Sequence, residues 1–349
     1  MPGTLTIADI NDLVIATRPR EALGMLNDIA SRLTEYCFVD YMRRENQITY
    51  DGGTSIRSNF IYDHNQSAAM VGLHEVIEPN IPDVLTRFDV PWRHLNYHWG
   101  YERREMLINA QGKTLQQINE IINTRRAAGQ LSEAELLETQ WWSNAADPAN
   151  ERDLWGLNYW LPLATTTRGF NIGAASGFTT VAGLDPDVYT RWKGYGSLFT
   201  DVSEDDLLEE MTIGMDQTGF ITPMDIEEYK SGVGRGCKIF TNLNNKVALE
   251  KELRRRNDTH IMLGQFANAT SFRNCPIKYV PKLNANTQDP LYMLNMDYIM
   301  IAGLAGDNDY EHEPMNDVKA PNTYIVHRDS TLQPVVTSRR RQCVFNKAA

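Results

Sequence analysis

The sequence has few cysteines and no long hydrophobic run. Its cysteines stand far apart and include no CxxC pair; they are Cys37, Cys237, Cys275 and Cys343. A disulfide framework or a zinc site would show closer spacing, so we expect free thiols in a reducing compartment. No apolar stretch reaches the length of about 18 residues that a membrane-spanning helix needs, so none is expected. The first residues lack a basic start followed by an apolar run, which argues against a signal peptide.

Positive charge is also scarce. The chain has 34 Lys and Arg against 45 Asp and Glu, which gives a formal net charge of −11. Binding along a phosphate backbone needs clustered Lys and Arg, so a dedicated DNA-binding protein is disfavoured. A container whose wall does not adhere to enclosed DNA is still allowed. The length of 349 residues fits two domains or one elaborated domain, and 42% hydrophobic residues suffice for a core.

Recognisable catalytic and cofactor motifs are missing. Gly112-Lys113-Thr114 lacks the earlier glycine of a phosphate loop, because Leu107 stands in its place. The glycines from Gly232 to Gly236 precede a predicted strand, whereas those of a dinucleotide site follow one. No serine, cysteine or carboxylate pair falls in a nucleophile motif. We therefore predict no catalytic residue and no cofactor.

Two patterns resemble metal sites only superficially. His94 and His98 lie four apart, but their segment alternates as a strand does, which separates them by about 13 Å. Asp307-x-Asp309-x-Glu311 resembles the start of a calcium loop. However, His312 and Val318 occupy the positions that require Gly and Glu. We expect surface or interface histidines, a solvated acidic loop and no metal site.

A helix is predicted over residues 113–143, where apolar residues recur every third or fourth position. Thr114 and Ser132 each open a capping-box sequence. Gly129 interrupts the pattern, so the segment is either two helices or one kinked helix, about 45 Å long if continuous.

Strands are predicted over residues 47–101. The segment 48–50, the turn signal from Asp51 to Thr54 and the segment 56–62 together predict a β-hairpin. Residues 95–101 alternate with a period of two, which is typical of a half-buried strand. The polar stretch between these strands suggests a long two-stranded excursion. Since a lone hairpin is only marginally stable in water, it should need another surface to lie on.

The remainder predicts an α/β unit followed by two closing strands. Ser203 is placed to cap the first helix of this unit. The unit's further elements are a strand at 238–241, a helix at about 245–256, and strands at 276–281 and 298–301. The closing strands are predicted at 324–326 and 341–345.

This order of parts resembles the HK97-like fold of the major capsid proteins of tailed double-stranded DNA phages. Local segments also look like that family, among them Gly52-Gly53-Thr54-Ser55-Ile56, Tyr189-x-Arg191-Trp192 and Arg339-Arg340-Arg341-Gln342. The resemblance implies an α+β fold over nearly the whole chain. Its parts would be an N-terminal arm and helix (1–46), an extended loop, or E-loop, hairpin (47–101), a peripheral domain with the spine helix (102–202), an axial domain (203–305) and return strands of the peripheral domain (306–349).

The resemblance implies a structural protein, not an enzyme, that self-assembles into an icosahedral shell of hexamers and pentamers. Its place would be the virion, after assembly in the host cytoplasm. Its partners would be copies of itself, a separate scaffolding protein and a portal, with decoration proteins as an option, and it would enclose DNA without sequence-specific binding. Two alternatives remain: an encapsulin-type cargo compartment with the same fold, and an enzyme of unknown chemistry.

The residues predicted to contact neighbouring subunits lie in the E-loop and in the closing strand. They are Gly52, Gly53, Arg57, Arg339, Arg340 and Arg341. An arm and a hairpin that fold poorly alone become useful when they bury area on a neighbour. In a strand, Arg340 would point away from the other two arginines and suit a seam between subunits, with the acidic loop 307–313 supplying partners. A plain solvated edge and a contact with DNA are the alternatives for these arginines.

Overall fold

The computed structural model describes most of the chain after the N-terminal region. The described residues are 36–43, 47–50, 52–61, 70–72, 85–104, 115–143, 150–219, 236–256, 271–273, 275–317 and 319–348. Several predicted features lie outside these residues. They are the N-terminal helix, all but the end of the arm, the segment 112–114 and the glycines before Gly236.

The described strands form two sheets and a separate two-stranded ribbon. The strands are β1 (Gln47–Tyr50), β2 (Ser55–Ile61), β3 (Leu85–Pro91), β4 (Arg93–Glu102), β5 (Gly169–Ile172), β6 (Gly194–Phe199), β7 (Cys237–Thr241), β8 (Ser271–Phe272), β9 (Cys275–Tyr279), β10 (Leu291–Asn295), β11 (Ile299–Leu304), β12 (Tyr310–Glu311), β13 (Met315–Asn316), β14 (Thr323–Val336) and β15 (Cys343–Lys347). The helices are α1 (Leu115–Ser143), α2 (Leu157–Trp160), α3 (Glu209–Thr218) and α4 (Leu243–Arg256). Short 3₁₀ or π turns lie at Val39–Arg43, Thr190–Trp192, Glu204–Leu208, Pro281–Ala285, Met296–Tyr298 and Arg339–Arg341.

The long strand β14 organises the six-stranded sheet. It pairs antiparallel with β4 from Thr323 opposite Glu102 to Leu332 opposite Arg93, and with β11, β12 and β13 on its other side. On β4, His94, Asn96 and His98 are exposed while the alternate residues are partly or fully buried. The period-two pattern therefore predicted this strand correctly, because one face of the sheet is covered.

Helix α1 is continuous over 29 residues, about 44 Å, and includes Gly129. A Cβ added at Gly129 would lie 3.0 Å from Cε2 of Tyr97, so the missing side chain lets the helix approach β4 closely. The alternative of two helices is therefore wrong: the segment is a single helix, despite the helix-propensity cost of glycine, about 1 kcal/mol. Ser132 lies inside the helix and does not begin a second one.

The hairpin predicted around Asp51 to Thr54 is wrong in its pairing. β1 pairs in parallel with β11, and β2 pairs antiparallel with β3, from Ser55 opposite Pro91 to Ile61 opposite Leu85. Gly52 and Gly53 have φ values of +151° and +118°, so they form a corner between a sheet and the β2–β3 pair. We call β2 and β3 the ribbon; β1 and β4, which lie inside the predicted E-loop range, belong to the six-stranded sheet.

The seven-stranded sheet has the strand order β5-β6-β15-β10-β7-β9-β8. Helix α3 packs on it where Gly214 meets the ring of Phe345. The turn at Glu204–Leu208 precedes α3, but the Ser203 side chain does not cap it, so that predicted cap is wrong.

Sheet membership does not follow the domain boundaries expected at 202/203 and 305/306. β5, β6 and β15 join the seven-stranded sheet, whereas β11 joins the six-stranded one. Strand pairing over long sequence distances therefore decides which segments share a sheet.

The buried side chains form two clusters. The larger is rich in aromatic residues and includes Trp141, Trp142, Trp160, Trp192 and Phe240. The smaller lies between the seven-stranded sheet and α3 and includes Tyr195, Met211 and Phe345. Within the described part of the chain, no helix has the length and apolar character needed to cross a bilayer.

Candidate subunit-contact surfaces

The base of the ribbon is anchored in the larger core cluster. Ile56, Phe88 and Val90 are buried, and they lie on the same face of the two strands. The ring of Phe88 stacks on Trp192 at 6.4 Å between centroids, and the backbone N–H of Asp89 donates to Ala182 O at 3.0 Å. The ribbon therefore leaves the molecule from a fixed root, with a set direction.

The far end of the ribbon exposes apolar side chains. Ile61 and Leu85 lie opposite each other and are 46% and 59% exposed. They are five residues beyond the root pair of Ile56 and Val90, about 17 Å at the rise of a strand. Met70 and Val71, in the segment between the strands, are exposed as well. These side chains have the chemistry of a surface that is covered on association.

Gly52, Gly53 and Arg57 lie at the root of the ribbon. The indole N–H of Trp92 donates to Gly53 O at 2.9 Å and holds the corner. Arg57 pairs across the ribbon with Asp89 at 3.3 Å, and both side chains are about half exposed. Such a pair contributes about 0 to 1 kcal/mol, so it shapes the ribbon more than it stabilises the fold. That these residues touch a neighbour remains a prediction.

Arg339 is enclosed by its own chain. Its guanidinium donates to Trp160 O at 2.7 Å, Trp192 O at 3.1 Å, Ile172 O at 3.3 Å and also to Gly173 O. Burial lowers the pKa of Arg339 to about 9. The expected closing strand at this point is a 3₁₀ turn between β14 and β15. Because the side chain is fully buried, we correct its assignment from a subunit contact to an internal support.

Arg340 and Arg341 differ from Arg339 in their surroundings. Arg340 is exposed and lies 4.2 Å from the ring centre of Phe170, and Arg341 lies 4.5 Å from that of Tyr298. Partial desolvation of the guanidinium, followed by the nearby charge of Arg191, lowers the pKa of Arg340. These two side chains keep access to solvent, and their contact with a neighbour remains a prediction.

The acidic loop has partners within the chain. Glu311 pairs with Arg126 of α1 at 2.7 Å, and Asp309 pairs with Arg328 of β14 at 3.6 Å. Asp307 accepts a hydrogen bond from the hydroxyl of Thr331. These contacts fasten the loop to the six-stranded sheet and to the long helix. Three of the carboxylates that we expected to pair with arginines of a neighbouring subunit therefore already have partners within the chain.

The exposed face of the six-stranded sheet carries the two histidines that resembled metal ligands. His94 Nδ1 lies 2.7 Å from the hydroxyl of Thr331, and the ring of His98 packs against that of His327 at 5.5 Å. Among the residues that the structure describes, no group of three His, Cys, Asp or Glu side chains is arranged to hold a metal ion.

Trp192 joins the ribbon to the arginine turn. Its ring contacts Phe88, its carbonyl accepts from Arg339, and its indole N–H donates to Val181 O at 3.3 Å. Residue-by-residue reasoning missed this role, although Tyr189-x-Arg191-Trp192 stood out as a family-like segment. The available signal was the tryptophan itself, a large side chain that favours a structural anchor, within that segment.

No family model matches this chain, and no curated protein sequence matches it either. Solved structures do. The chain matches the capsid asymmetric unit of cyanophage A-1(L) with 13% identity and a TM-score of 0.63, over 94% of this chain and 98% of that chain. It matches the capsid of Myoviridae phage XM1 with 11% identity and a TM-score of 0.53, over 100% of both chains. The capsid of a native GTA particle matches with 10% identity and a TM-score of 0.51, over 96% and 99%. The chain therefore has the fold of these capsid proteins.

Proposed function

We propose that this chain is the major capsid protein of a tailed double-stranded DNA phage, a structural subunit that self-assembles into the icosahedral head shell. The observation that carries the proposal is the fold shared with the cyanophage capsid over 94% of this chain and 98% of that one. Agreement over both full lengths means that the whole chain, and not one module of it, has the capsid architecture.

The parts of an HK97-like subunit can be assigned on this proposal. The ribbon is the E-loop and α1 is the spine helix. The six-stranded sheet with α1 forms the peripheral domain, and the seven-stranded sheet with α3 and α4 forms the axial domain. Residues 1–46 supply the arm.

The physical properties of the ribbon support this role. Its root is held by Phe88 and Trp192, while Ile61 and Leu85 at its far end are apolar and exposed. An isolated subunit gains nothing from such an arrangement, whereas a neighbour that covers the far end would bury it. Closed shells need repeated contacts between unlike surfaces, and a reaching ribbon supplies one of them.

The charge of the chain supports a wall around DNA. A net charge of −11 keeps the subunit from binding tightly along the phosphate backbone. The three reported structures are capsids of phages or of a GTA particle, which favours a shell of this kind over a cargo compartment. We propose a separate scaffolding protein and a portal as partners and no catalytic role.

The test is the mass of the purified chain, produced alone and together with the scaffolding protein that we propose as its partner. Sedimentation should show capsomers or particles of megadalton mass in at least one preparation. A chain that stays a monomer of 39.7 kDa in both would overturn the proposal. Replacing Ile61 and Leu85 by Asp should abolish the large particles without unfolding the subunit, because both side chains are already exposed.

A further inference from the structure

Three cysteines that lie far apart in the sequence are on the same face of the seven-stranded sheet. Cys237 begins β7, Cys275 begins β9 and Cys343 begins β15. All three belong to or border the core cluster under α3, and all are free thiols. Spacing along the chain gave no sign of this grouping.

Cys237 and Cys275 are opposite each other on neighbouring strands. β7 and β9 run parallel with Ile239 opposite Ile277, so the residues two positions earlier also face each other. Residues two apart on a strand share a face, so both thiols lie with Ile239 and Ile277 on the side of the core. Neighbouring strands are about 4.8 Å apart, within the range of about 4.4 to 6.8 Å between Cα atoms of a disulfide.

The two thiols influence each other's titration. The neighbouring Cys275, followed by burial, raises the pKa of Cys237, and the neighbouring Cys237 lowers the pKa of Cys275. Cys237 is partly exposed, whereas Cys275 is 1% exposed. A reagent in solution therefore meets Cys237 first, with Cys275 directly behind it.

Cys343 is separated from this pair. Strand β10 stands between β15 and β7, and Met293 lies opposite both Cys343 and Ile239. The Cys343 thiol contacts the hydroxyl of Thr218 at 3.2 Å, and burial raises its pKa to about 12. Two strand spacings, about 9.6 Å, separate β15 from β7, and three separate it from β9, so Cys343 is too far from either partner for a disulfide.

We propose that Cys237 and Cys275 are a built-in oxidation site, which closes to an internal disulfide when the protein meets a low-molecular-weight disulfide, RSSR. The Cys237 thiol loses its proton to solvent, its sulfur attacks one sulfur of RSSR, and the first RS⁻ leaves. Cys275 then loses its proton and attacks the Cys237 sulfur, which expels the second RS⁻. The two thiolates take up the two protons, so one RSSR is reduced to two RSH while two cysteines are oxidised to one disulfide.

The new bond would fasten the edge of the seven-stranded sheet. β9 and β8 form one end of that sheet, and β9 meets the other strands through β7. A bond between positions 237 and 275 closes a loop of the unfolded chain that also contains α4, which favours the folded state. We expect an increase in Tm of about 5 °C or more, reversed by reduction. This site goes beyond the proposed function and does not depend on shell assembly.

The experiment treats the purified, full-length chain with oxidised glutathione and measures free thiols after denaturation. We expect four thiols to fall to two, an intact mass lower by two hydrogen atoms, and one linked peptide pair containing Cys237 and Cys275. Cys343→Ser should react in the same way, starting from three thiols. Cys275→Ser should stop at a glutathione adduct on Cys237.

Several outcomes would overturn the proposal. They are four free thiols after oxidation, a bond that involves Cys343, or only bonds between chains. If Cys275→Ser fails to fold, the peptide map of the oxidised wild-type chain decides alone, because it identifies the linked residues directly. Oxidation without any increase in Tm would refute the claim that the bond fastens the sheet edge.

Discussion

The buried carboxylate of Glu138 on α1 accepts a hydrogen bond of 2.8 Å from the backbone N–H of Phe38. Its other oxygen accepts from the indole N–H of Trp142 at 2.7 Å. Burial raises the pKa of Glu138 to about 7, although these hydrogen bonds oppose the change. The contact ties the end of the predicted arm to the C-terminal part of the long helix, and it makes that attachment sensitive to pH.

We predict that Glu138 makes the folded state more stable as the pH falls from about 7 to about 4.5. In this range the folded carboxyl binds a proton that the unfolded carboxyl, with its ordinary pKa of 4.5, does not bind. The effect over the whole window is on the order of 3 kcal/mol. Urea unfolding of the wild type and of Glu138→Gln should therefore differ by an amount that changes in favour of the wild type as the pH is lowered. A difference that is constant between pH 4.5 and 7.5 would contradict this assignment.

A comparison of Arg339 with Arg341 tests whether the buried arginine stabilises the fold more than the solvent-accessible one. Arg339→Met should lower the free energy of unfolding by about 2 to 4 kcal/mol, because four buried carbonyls lose their donor. Arg341→Met changes a side chain that keeps access to solvent and lies against the ring of Tyr298, and it should cost less than about 1 kcal/mol. If urea denaturation shows the same loss of unfolding free energy for both variants, Arg339 does not support the fold more than Arg341 does, which would contradict the structure.

Only part of this arrangement was predictable from the sequence. Residues 339–341 are three consecutive arginines, and nothing local shows which of them is buried. That depends on the carbonyls of Trp160 and Trp192, more than 140 positions away. Local periodicity found α1 and β4 because each has one covered face. By contrast, the turn signal at Asp51 to Thr54 fits both a hairpin and a corner. The choice between them depends on β11, which lies about 250 residues further along the chain.

Two positions of strand β3 should affect different properties: Phe88 the stability of the subunit, and Leu85 the assembly of particles. Phe88→Ala removes a buried ring from Trp192 and should cost about 3 to 5 kcal/mol of folding free energy. Leu85→Asp changes a side chain that is 59% exposed and should leave stability within about 0.5 kcal/mol. It should nevertheless reduce the yield of large particles in sedimentation. Normal particle yield from Leu85→Asp would show that this end of the ribbon stays uncovered in the assembly.

Gly129 should not tolerate the substitution that usually stabilises a helix. Gly129→Ala would gain about 1 kcal/mol in helix propensity, but the new Cβ would lie 3.0 Å from the ring of Tyr97. The ring or the helix must then shift, so we expect no gain and a net loss of up to about 1 kcal/mol in thermal or urea unfolding. A gain close to the full propensity difference would mean that α1 and β4 are not in close contact at this point.

The measurement that tests the central claim most directly is electron microscopy of the purified chain, alone and co-expressed with its scaffolding protein. Sedimentation alone does not distinguish a shell from an aggregate, whereas an image does. The account predicts closed icosahedral shells of uniform diameter, absent from preparations of the chain with Ile61→Asp and Leu85→Asp. Fields that contain only monomers, irregular aggregates or open filaments in both preparations would contradict it.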